Sequence, residues 1–287
     1  MTDPRQPLPI PTRHPWNTEF AWEDRHGPFR RLTDEQVSAF DRDGYVVIPE
    51  LLDAATLAEV RAEIDAHEAE TDALLATLEN ERVSIAERGA ITFSVHLTAK
   101  SPRLAELARH PAIGDLCADL IGPDVNLYWD QAVYKKPEKP RRFPWHQDNG
   151  YTFVEPQQYL TVWLALTDAT ADNGCPQVVP GLHRHGTLAH HFVDPLGWEC
   201  LDDPAGDGYD VVVAPVPAGG AVVFSSLTPH LTGPNLTDAV RKAYILQYAP
   251  AGATILRGDP HDGPPTERVT ADAPERQFPI LRDGRPA

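Results

Sequence analysis

The sequence predicts a mainly β protein in which short strands form a sandwich or barrel and a helical first third packs against one sheet. From Gly122 onward, short apolar runs alternate with stretches rich in Gly, Pro, Asn and Asp, which is typical of strands joined by turns. Before Gly122, apolar residues recur mostly at helical spacing. The 29 prolines are unevenly spread, and this suits a body of strands and loops, because proline is poorly tolerated inside helices and central strands.

The composition is that of a folded globular chain with an acidic surface. The 287 residues are 41% apolar and 23% charged, which is enough to bury a core without disulfides. Lys and Arg number 25 against 42 Asp and Glu, a net charge of −17. Such a chain repels phosphate backbones and anionic lipids, so we expect no nucleic-acid partner and no membrane partner. A small molecule is the ligand class that remains.

The sequence also favours a cytoplasmic location. It contains no run of 18 apolar residues, and residues 1–16 do not resemble a secretory signal. The three cysteines, Cys117, Cys175 and Cys200, are widely spaced, odd in number and without a C-x-x-C pair. We therefore expect buried apolar cysteines, and neither disulfides nor zinc ligands.

The N-terminal third is expected to consist of an arm followed by mainly helical structure. Residues 1–30 form the arm, which lies on the body through the aromatic residues Trp16, Phe20, Trp22 and Phe29. A capping box over residues 33–36 begins a helix that ends near Gly44, and a short strand follows at 45–48. Residues 31–121 as a whole are predicted to be mainly helical.

Two further helices and one strand complete that region. Apolar spacing predicts an amphipathic helix over residues 53–78, with an interruption near Glu70 and Thr71 and a solvated glutamate-rich face. Residues 91–97 alternate as a strand does. Helical spacing resumes over residues 102–120, after Ser101 as N-cap and Pro102 at the first helical position.

Residues 122–250 are predicted to form the sheet core. The predicted strands are residues 126–135, 145–153, 159–166, 177–179, 209–213, 221–225 and 239–248. Residues 183–208, rich in His, Asp, Gly and Pro, are expected to form a lid over the barrel mouth. Residues 251–287 have little apolar content and are expected to form a tail that wraps the surface or is partly disordered.

A His-x-Asp pair is the first candidate for chemistry. His146 and Asp148 lie two residues apart, so in an extended segment both side chains point the same way and can reach one metal ion. A second histidine, His230, follows the apolar strand at 221–225. Two histidines and one carboxylate leave coordination positions open, which is the arrangement of non-haem Fe(II) oxygenases.

An arginine eleven residues beyond His230 supplies a possible anchor for a cosubstrate. If the two strands around residues 235–236 form a hairpin, Arg241 lies opposite His230. The carboxylate and keto group of 2-oxoglutarate could fill two metal positions, and dioxygen the last. The guanidinium of Arg241 suits the remaining carboxylate, with Thr232 as a further donor from the strand face of His230.

The chain resembles the phytanoyl-CoA hydroxylase family of Fe(II)/2-oxoglutarate-dependent dioxygenases. The residues that carry the resemblance lie between about 122 and 250 and include Trp145-His-Gln-Asp148, Thr161-Val-Trp-Leu-Ala-Leu-Thr-Asp168, Asp172-Asn-Gly-Cys175, Val179-Pro-Gly-Leu-His183, Pro229-His-Leu-Thr232, Pro234-Asn235 and Arg241. The resemblance implies a double-stranded β-helix, the cupin-like jelly roll, with the metal inside one end. It also implies that Gln131 and Trp163 line the cosubstrate side of the pocket. We expect residues 1–287 to form a single dioxygenase domain, although the first 90 residues and the lid match no pattern of the family.

The predicted activity is hydroxylation of an unactivated carbon in a small-molecule substrate, of the kind found in bacterial secondary metabolism. The carboxylate at Asp148 favours oxygenation over halogenation, for which related enzymes have a small residue at this position. Desaturation, ring formation and epimerisation remain alternatives, and so does a jelly-roll binding protein without catalysis. The sequence gives no indication of oligomeric state.

Several other residues are weaker candidates. His96 could be a satisfied core histidine or could face substrate, and Trp163 could be core or pocket wall. Tyr134 and Tyr151 flank the first metal ligands and are further candidates for the substrate pocket. The histidines between residues 183 and 191 could suggest a second metal site, but we interpret them as solvated, because none has a carboxylate at the His-x-Asp spacing.

Overall fold

Two facing antiparallel sheets form a jelly roll in the computed structural model of the chain, which describes residues 10–194 and 196–287. The strands are, in chain order, β1 (Tyr45–Ile48), β2 (Arg82–Val83), β3 (Ala86–Glu87), β4 (Ile91–Val95), β5 (Val125–Lys135), β6 (Val154–Glu155), β7 (Leu160–Ala165), β8 (Pro176–Val178), β9 (His191–Val193), β10 (Gly197–Glu199), β11 (Val212–Val213), β12 (Ala221–Ser225), β13 (His230–Thr232), β14 (Arg241–Pro250), β15 (Thr254–Arg257), β16 (Glu267–Thr270), β17 (Pro279–Arg282) and β18 (Arg285–Pro286). The helices are α1 (Asp34–Asp43), α2 (Ala54–Ala76), α3 (Pro102–Ala108), α4 (Pro111–Leu120) and the single turn α5 (Asp148–Tyr151).

The larger sheet forms one wall of the candidate site and the smaller sheet the other. The larger sheet has the strand order β1-β12-β7-β14-β5-β4-β3-β2, and the smaller has the order β11-β8-β13. His146 extends the smaller sheet by one bridge, because its backbone exchanges two hydrogen bonds with that of His230. The predicted fold class, a mainly β jelly roll with flanking helices, is confirmed.

The larger sheet is buried on both faces, which explains its near-continuous apolar strands. Leu160, Val162 and Leu164 of β7 face the helices, together with aromatic and aliphatic side chains of β14. Trp163 and Ala165 of β7 face the smaller sheet. The side chains of alternate residues along β7 thus point to the helices or into the space between the two sheets. Within the described part of the chain, no helix is long and apolar enough to cross a membrane.

The N-terminal helices follow the predicted signals with two differences. Thr33 and Gln36 form the capping box of α1, and Gly44 ends it in the left-handed conformation. The break expected near Thr71 is wrong, since α2 runs without interruption and the Thr71 hydroxyl donates to the carbonyl of His67. The helix predicted over residues 102–120 is divided at His110, because Pro111 starts a new helix.

The predicted hairpin between His230 and Arg241 is wrong. β13 pairs with β8, while Arg241 begins β14 in the other sheet, opposite Lys135. The backbone carbonyls of Thr232 and Gly233, which a hairpin would pair with β14, accept hydrogen bonds from the buried ammonium of Lys135. The chain therefore crosses from one sheet to the other after β13.

Two other segments differ from their predicted form. The strand expected over residues 145–153 is a bridge at His146 followed by the helical turn α5. The expected C-terminal tail contains strands. β15 pairs with β6 and β16, and β17 pairs with the first two residues of β5. Phe278 and Ile280 enter the main core, so few apolar residues suffice to attach this segment.

The arm is attached to the body as expected within residues 10–30, while residues 1–9 lie outside the described residues. Trp22 and Phe29 pack against the main core, and Trp16 stacks edge-on with Phe153. Asn17 is buried, and its side chain donates to the backbone carbonyls of His185 and Thr187. The arm is thereby joined to the first part of the predicted lid.

Asp130 provides a test of how the helical layer is attached to the sheet. Its buried carboxylate accepts hydrogen bonds from the backbone of Leu97 and Thr98 and from the Tyr244 hydroxyl. We expect Asp130→Ala to lower the free energy of unfolding by about 3 kcal/mol or more, because several buried donors lose their acceptor. Urea unfolding measures the change. The control Asp115→Ala, at an exposed carboxylate, should stay within about 0.5 kcal/mol of the parent protein, and equal effects of the two variants would contradict the prediction.

Candidate active site

A small cavity between the two sheets holds the predicted metal ligands and the predicted anchor. We call it the metal cavity. Its lining side chains are Phe93, Gln131, Val133, Phe143, His146, Asp148, Thr161, Trp163, Phe224, His230, Thr232, Arg241 and Ile245. The larger sheet contributes the arginine and most apolar residues, and the smaller sheet with its bridge contributes both histidines. The cavity continues into a second space of about 470 Å³, which we call the middle cleft.

His146, Asp148 and His230 converge on one point. One ligand atom from each lies within 4.8 Å of the other two. The Oδ1 atom of Asp148 is 3.7 Å from Nε2 of His146 and 3.9 Å from Nε2 of His230. These separations are short enough for one ion to reach all three side chains, since two ligand bonds of about 2 Å span at most about 4 Å. The structure thus brings together the three residues predicted as ligands.

Backbone carbonyls orient both imidazole rings. Nδ1 of His146 lies 2.8 Å from the carbonyl oxygen of Pro144, and Nδ1 of His230 lies 3.0 Å from that of Thr228. A proton on each Nδ1 makes these hydrogen bonds and leaves the Nε2 lone pairs directed at Asp148. Burial lowers the pKa of His146, and the neighbouring His230 lowers it further. His146 is therefore neutral at neutral pH, as a metal ligand must be.

One oxygen of the Asp148 carboxylate accepts a hydrogen bond from the protein, and the other is free to bind a metal ion. Its Oδ2 atom accepts a hydrogen bond of 2.5 Å from the hydroxyl of Thr161, whose oxygen in turn accepts one from the Gln247 amide. Its Oδ1 atom faces the two histidines. Asp148 starts the turn α5 and does not lie in a strand. The carboxylate thus reaches the histidines from a turn, and not through the alternation that the sequence suggested.

A buried polar network fixes the turn that presents Asp148. The side-chain amide of Gln147 donates to the carbonyls of Gly186 and Leu227, and its oxygen accepts from the backbone of Leu188. The backbone N–H of Gln147 donates to Nε2 of His190. Such hydrogen bonds hold the backbone on both sides of the ligand.

Close packing beside this network requires a glycine at position 150. A Cβ atom there would lie 1.9 Å from the His190 ring. His190 therefore packs directly against the turn, and a larger residue at position 150 would have to displace its ring. His183 is buried, with Nε2 3.1 Å from the carbonyl of Asp41. The prediction of solvated histidines is wrong for His183, which is fully buried, while His190 is half-buried with both ring nitrogens hydrogen-bonded.

Arg241 is buried in the metal cavity with unused donors. Its side chain is 1% exposed and lies 5.1 Å above the ring of Trp163. Its Nη1 atom reaches the carbonyl of Val133 at 3.4 Å, while Nε and Nη2 have no partner among the described residues. Burial lowers the pKa of this guanidinium to about 9. A buried cation with free donors is unfavourable by itself and favours an anionic ligand.

Lys135 adds a second buried cation behind Arg241. Its ammonium donates to the carbonyls of Arg141, Thr232 and Gly233. Burial lowers the pKa of Lys135, and Arg241 lowers it further. The hydrogen bond to Thr232 holds the end of β13 against β5, so the threonine side chain stays at the metal cavity near Arg241.

The remaining predicted residues separate into two groups. Gln131 and Trp163 line the metal cavity, as the resemblance implied, and Tyr151 lines the middle cleft with its ring 5.1 Å from that of His146. Tyr134 does not reach either space, because it lies on the helical face of β5 and its hydroxyl donates to Asp65. His96 stacks on Trp129 at 4.3 Å and lines a more distant cleft.

Thr161, Lys135, Gln147 and Glu199 contribute to the site and were missed as individual residues. Glu199 is buried, pairs with Arg142 and accepts from the backbone N–H of Trp145, next to the first ligand. Thr161 begins one of the motifs that carry the family resemblance. The sequence therefore indicates that it lies near the site, but not that it donates a hydrogen bond to Asp148. For Lys135 the sequence does contain a signal, because a lysine that ends a largely apolar strand can be a buried charge.

Thr161 offers a test of the ligand geometry. We expect Thr161→Val to weaken Fe(II) binding about 10-fold to 100-fold, because the carboxylate of Asp148 loses the hydrogen bond that orients it. Anaerobic titration with Fe(II) measures the affinity. Thr270→Val, at an exposed strand threonine, is the matched control and should bind iron as the parent does. Unchanged affinity in Thr161→Val would show that the hydrogen bond is not needed.

Comparison with known proteins agrees with this geometry. Residues 40–243 match the model of the phytanoyl-CoA dioxygenase (PhyH) family. A methylphosphonate hydroxylase from Gimesia maris is 30% identical over 221 residues, which are 76% of this chain and 80% of that protein. An ectoine dioxygenase from Sphingopyxis alaskensis is 31% identical over 237 residues, which are 76% of either chain.

Solved structures show the same fold. The non-haem α-ketoglutarate-dependent epimerase SnoN from nogalamycin biosynthesis superposes with a TM-score of 0.58 at 26% identity, over 77% of this chain and 83% of that one. EctD from S. alaskensis, solved with 2-oxoglutarate and 5-hydroxyectoine, superposes with a TM-score of 0.66 at 22% identity, over 86% and 85%. The family match covers most of the chain and includes every residue of the metal cavity except Ile245. The chain therefore belongs to the phytanoyl-CoA dioxygenase family and is a non-haem iron dioxygenase that uses 2-oxoglutarate.

Proposed function

We propose that His146, Asp148 and His230 hold Fe(II), that Arg241 and Thr232 hold the far carboxylate of 2-oxoglutarate, and that the enzyme hydroxylates a small organic molecule. The observation that carries this proposal is the unpaired, buried guanidinium of Arg241 in the cavity of the three metal ligands. An anion is needed there to offset the cost of burial, and a planar fork suits a carboxylate.

Charge balance supports a dicarboxylate as the ligand. Among the described residues that line the metal cavity, Asp148 is the one carboxylate and Arg241 the one guanidinium. The charges of an Fe(II) ion, one carboxylate, one guanidinium and one dianion sum to zero, and the Lys135 ammonium behind Arg241 adds positive charge that favours an anion further. A monoanion would leave an excess positive charge in a space walled by phenylalanine, tryptophan and isoleucine, where ions are poorly solvated.

Iron held by His146, Asp148 and His230 and 2-oxoglutarate held by Arg241 would supply the oxidising chemistry, with one oxygen atom of dioxygen going to the substrate and the other to succinate, which forms with loss of carbon dioxide. The protein supplies the arrangement. The carbonyls of Pro144 and Thr228 hold the imidazoles with Nε2 inward, and Thr161 leaves one oxygen of Asp148 free. Phe143 and Phe224 pack on the rings of His146 and His230 and exclude water.

Gln131 and Trp163 have supporting roles in this proposal. Gln131 accepts a hydrogen bond from the indole of Trp129, which leaves its amide nitrogen available toward the metal cavity. The ring of Trp163 lies against the guanidinium of Arg241 and limits its position. Tyr151 borders the middle cleft, where the substrate carbon would approach the metal.

Hydroxylation is the proposed outcome because Asp148 retains a carboxylate and the middle cleft opens beside it. Epimerisation and ring closure use the same ligands and depend on which substrate carbon is held near the metal, so they are the alternatives. A binding protein without catalysis is not favoured, because it would not require two inward imidazoles and a carboxylate beside an unpaired guanidinium.

We also propose that the whole chain acts as one domain in the cytoplasm, without a nucleic-acid partner. β1 from the N-terminal third and β17 from the C-terminal segment both pair within the larger sheet. The three cysteines are free, which suits a reducing compartment. The net charge of −17 opposes binding to phosphate backbones.

Metal binding is tested by His146→Ala and Asp148→Ala. We expect the iron content to fall from about one ion per chain to near zero, because two ligands do not retain Fe(II) against exchange with solvent. Iron analysis after anaerobic loading gives the content, and succinate formation gives the activity. His191 and Asp202 form an exposed pair 3.1 Å apart and supply matched controls as His191→Ala and Asp202→Ala. Full iron content in His146→Ala would disprove the ligand assignment.

The anchor is tested by Arg241→Met with Arg268→Met as an exposed control. We expect the affinity of the iron-loaded protein for 2-oxoglutarate to fall about 100-fold or more in the first variant, because a charge-assisted bidentate contact is lost. Arg241→Lys should recover part of the affinity, since one charge returns without the planar fork. Anaerobic calorimetry measures all three variants, and an unchanged affinity in Arg241→Met would place the anchor elsewhere.

A further inference from the structure

The space available to a substrate extends far beyond the metal. A larger space of about 800 Å³, which we call the outer cleft, adjoins the middle cleft of about 470 Å³. Both are bordered by the same four residues, Tyr128, Trp129, Tyr151 and Thr152. Each space alone falls within the range of sites for drug-sized ligands. A substrate of only a few atoms would leave most of this volume unfilled.

Aromatic rings surround the passage between the two spaces. Trp129 and Tyr128 lie on β5 at the base, and Trp16 and Phe153 stack with each other at one side. Trp198 of β10 lies at the other side and is 47% exposed. Rings that are partly exposed at the edge of a cavity gain free energy when a flat apolar ligand covers them.

The β9–β10 hairpin carries an exposed aromatic pair to the edge of the outer cleft. Trp198 stacks edge-on with Phe192 at 5.8 Å. The backbone of Gly197 lies so close to Ile85 that an added Cβ would meet its side chain at 3.4 Å, so the hairpin packs beside the β2–β3 turn that borders the middle cleft. Trp198 and the β2–β3 turn therefore belong to neighbouring walls of the outer and middle clefts.

Two arginines line the outer cleft, and they differ in whether a carboxylate pairs with them. Arg257 and Arg276 line it with Asp259, and Arg257 is paired with Glu267 at 3.4 Å. The guanidinium of Arg276 makes no hydrogen bond or ion pair with the described residues. Burial lowers the pKa of His14 and His190 in the same wall to about 4, so both are neutral at pH 7. The guanidinium of Arg276 thus lines the outer cleft as a cation without an ion-pair partner among the described residues.

We propose that the substrate is a flat molecule of two or more fused rings with an acidic group, whose rings lie between Trp129 and Trp198 and whose acidic group contacts Arg276. The proposal rests on the proposed function and specifies its substrate class. The reacting carbon lies at the end of the molecule that enters the middle cleft, beside His146 and Asp148. Apolar area supplies the affinity, and the charge at Arg276 sets the direction in which the molecule enters.

A graded ligand series tests the size and shape of the site. Benzoate, naphthalene-2-carboxylate and anthracene-2-carboxylate are titrated anaerobically into protein loaded with Fe(II) and saturated with 2-oxoglutarate, so that Arg241 and the metal are occupied. We expect the affinity to rise about tenfold for each added ring, because each ring buries further apolar area. An affinity that does not change with ring number would overturn the proposal.

Two variants locate the ligand. Trp198→Ala should weaken the three-ring acid about tenfold and leave benzoate nearly unchanged, and Leu74→Ala, at an exposed leucine of α2, is the control. Arg276→Gln should weaken anthracene-2-carboxylate about fivefold but not anthracene-2-carboxamide, with Arg103→Gln of α3 as the control. If either test variant behaves as its control does, the ligand does not occupy the outer cleft and the proposal is wrong.

The same samples separate this proposal from the proposed function. Fe(II) and 2-oxoglutarate affinities are measured in each preparation. Normal binding of both, without binding of the ring series, would overturn the substrate class and leave the dioxygenase assignment of the site supported. Binding of the ring series in protein that fails to bind Fe(II) or 2-oxoglutarate would overturn the site assignment and support an aromatic acid as the ligand of the cleft.

Discussion

A guanidinium buried without a carboxylate partner is the constraint on which this site depends. Arg241 is the first residue of β14 and pairs with Lys135 of β5 in the larger sheet, so the direction of its side chain is fixed by the strand pairing. The interior around it is largely apolar, and two of its nitrogens have no partner among the described residues. Burying this charge with unpaired donors is unfavourable, and a bound anion offsets the cost. The cavity therefore suits a dicarboxylate.

The proposed metal ligands face this arginine from the other wall, and rigid packing on both walls maintains the distance between them. His146 and His230 belong to one hydrogen-bonded bridge, so their separation is set by the backbone. Asp148 follows on a turn held by Gln147 and packed against His190. The helices cover the far face of the larger sheet, and this leaves the strands that carry the cavity side chains without freedom to shift.

The inner and outer parts of the site are built from different parts of the chain. The metal cavity is lined from central strands, whereas the outer cleft is lined by the arm, the β9–β10 hairpin and the segment after β15. Peripheral segments can change in sequence without disturbing the sheet pairing, so the same reaction centre can serve different substrates. Residues 183–189, by contrast, are bound to the metal-ligand turn through Gln147 and the arm, and form a fixed wall.

The sequence by itself determined the elements whose causes are local. The cap at Thr33, the strands of alternating or continuous apolar residues, and the identities of His146, Asp148, His230 and Arg241 follow from short motifs and their order. Only the tertiary structure decided how these residues meet: Arg241 faces His230 across two sheets and not along a hairpin, Tyr134 turns to the helices, and Thr161 and Lys135 support the site. The physical reason is that strand pairing and side-chain hydrogen bonds join residues far apart in the chain, and no local propensity records which partner the folded core will provide.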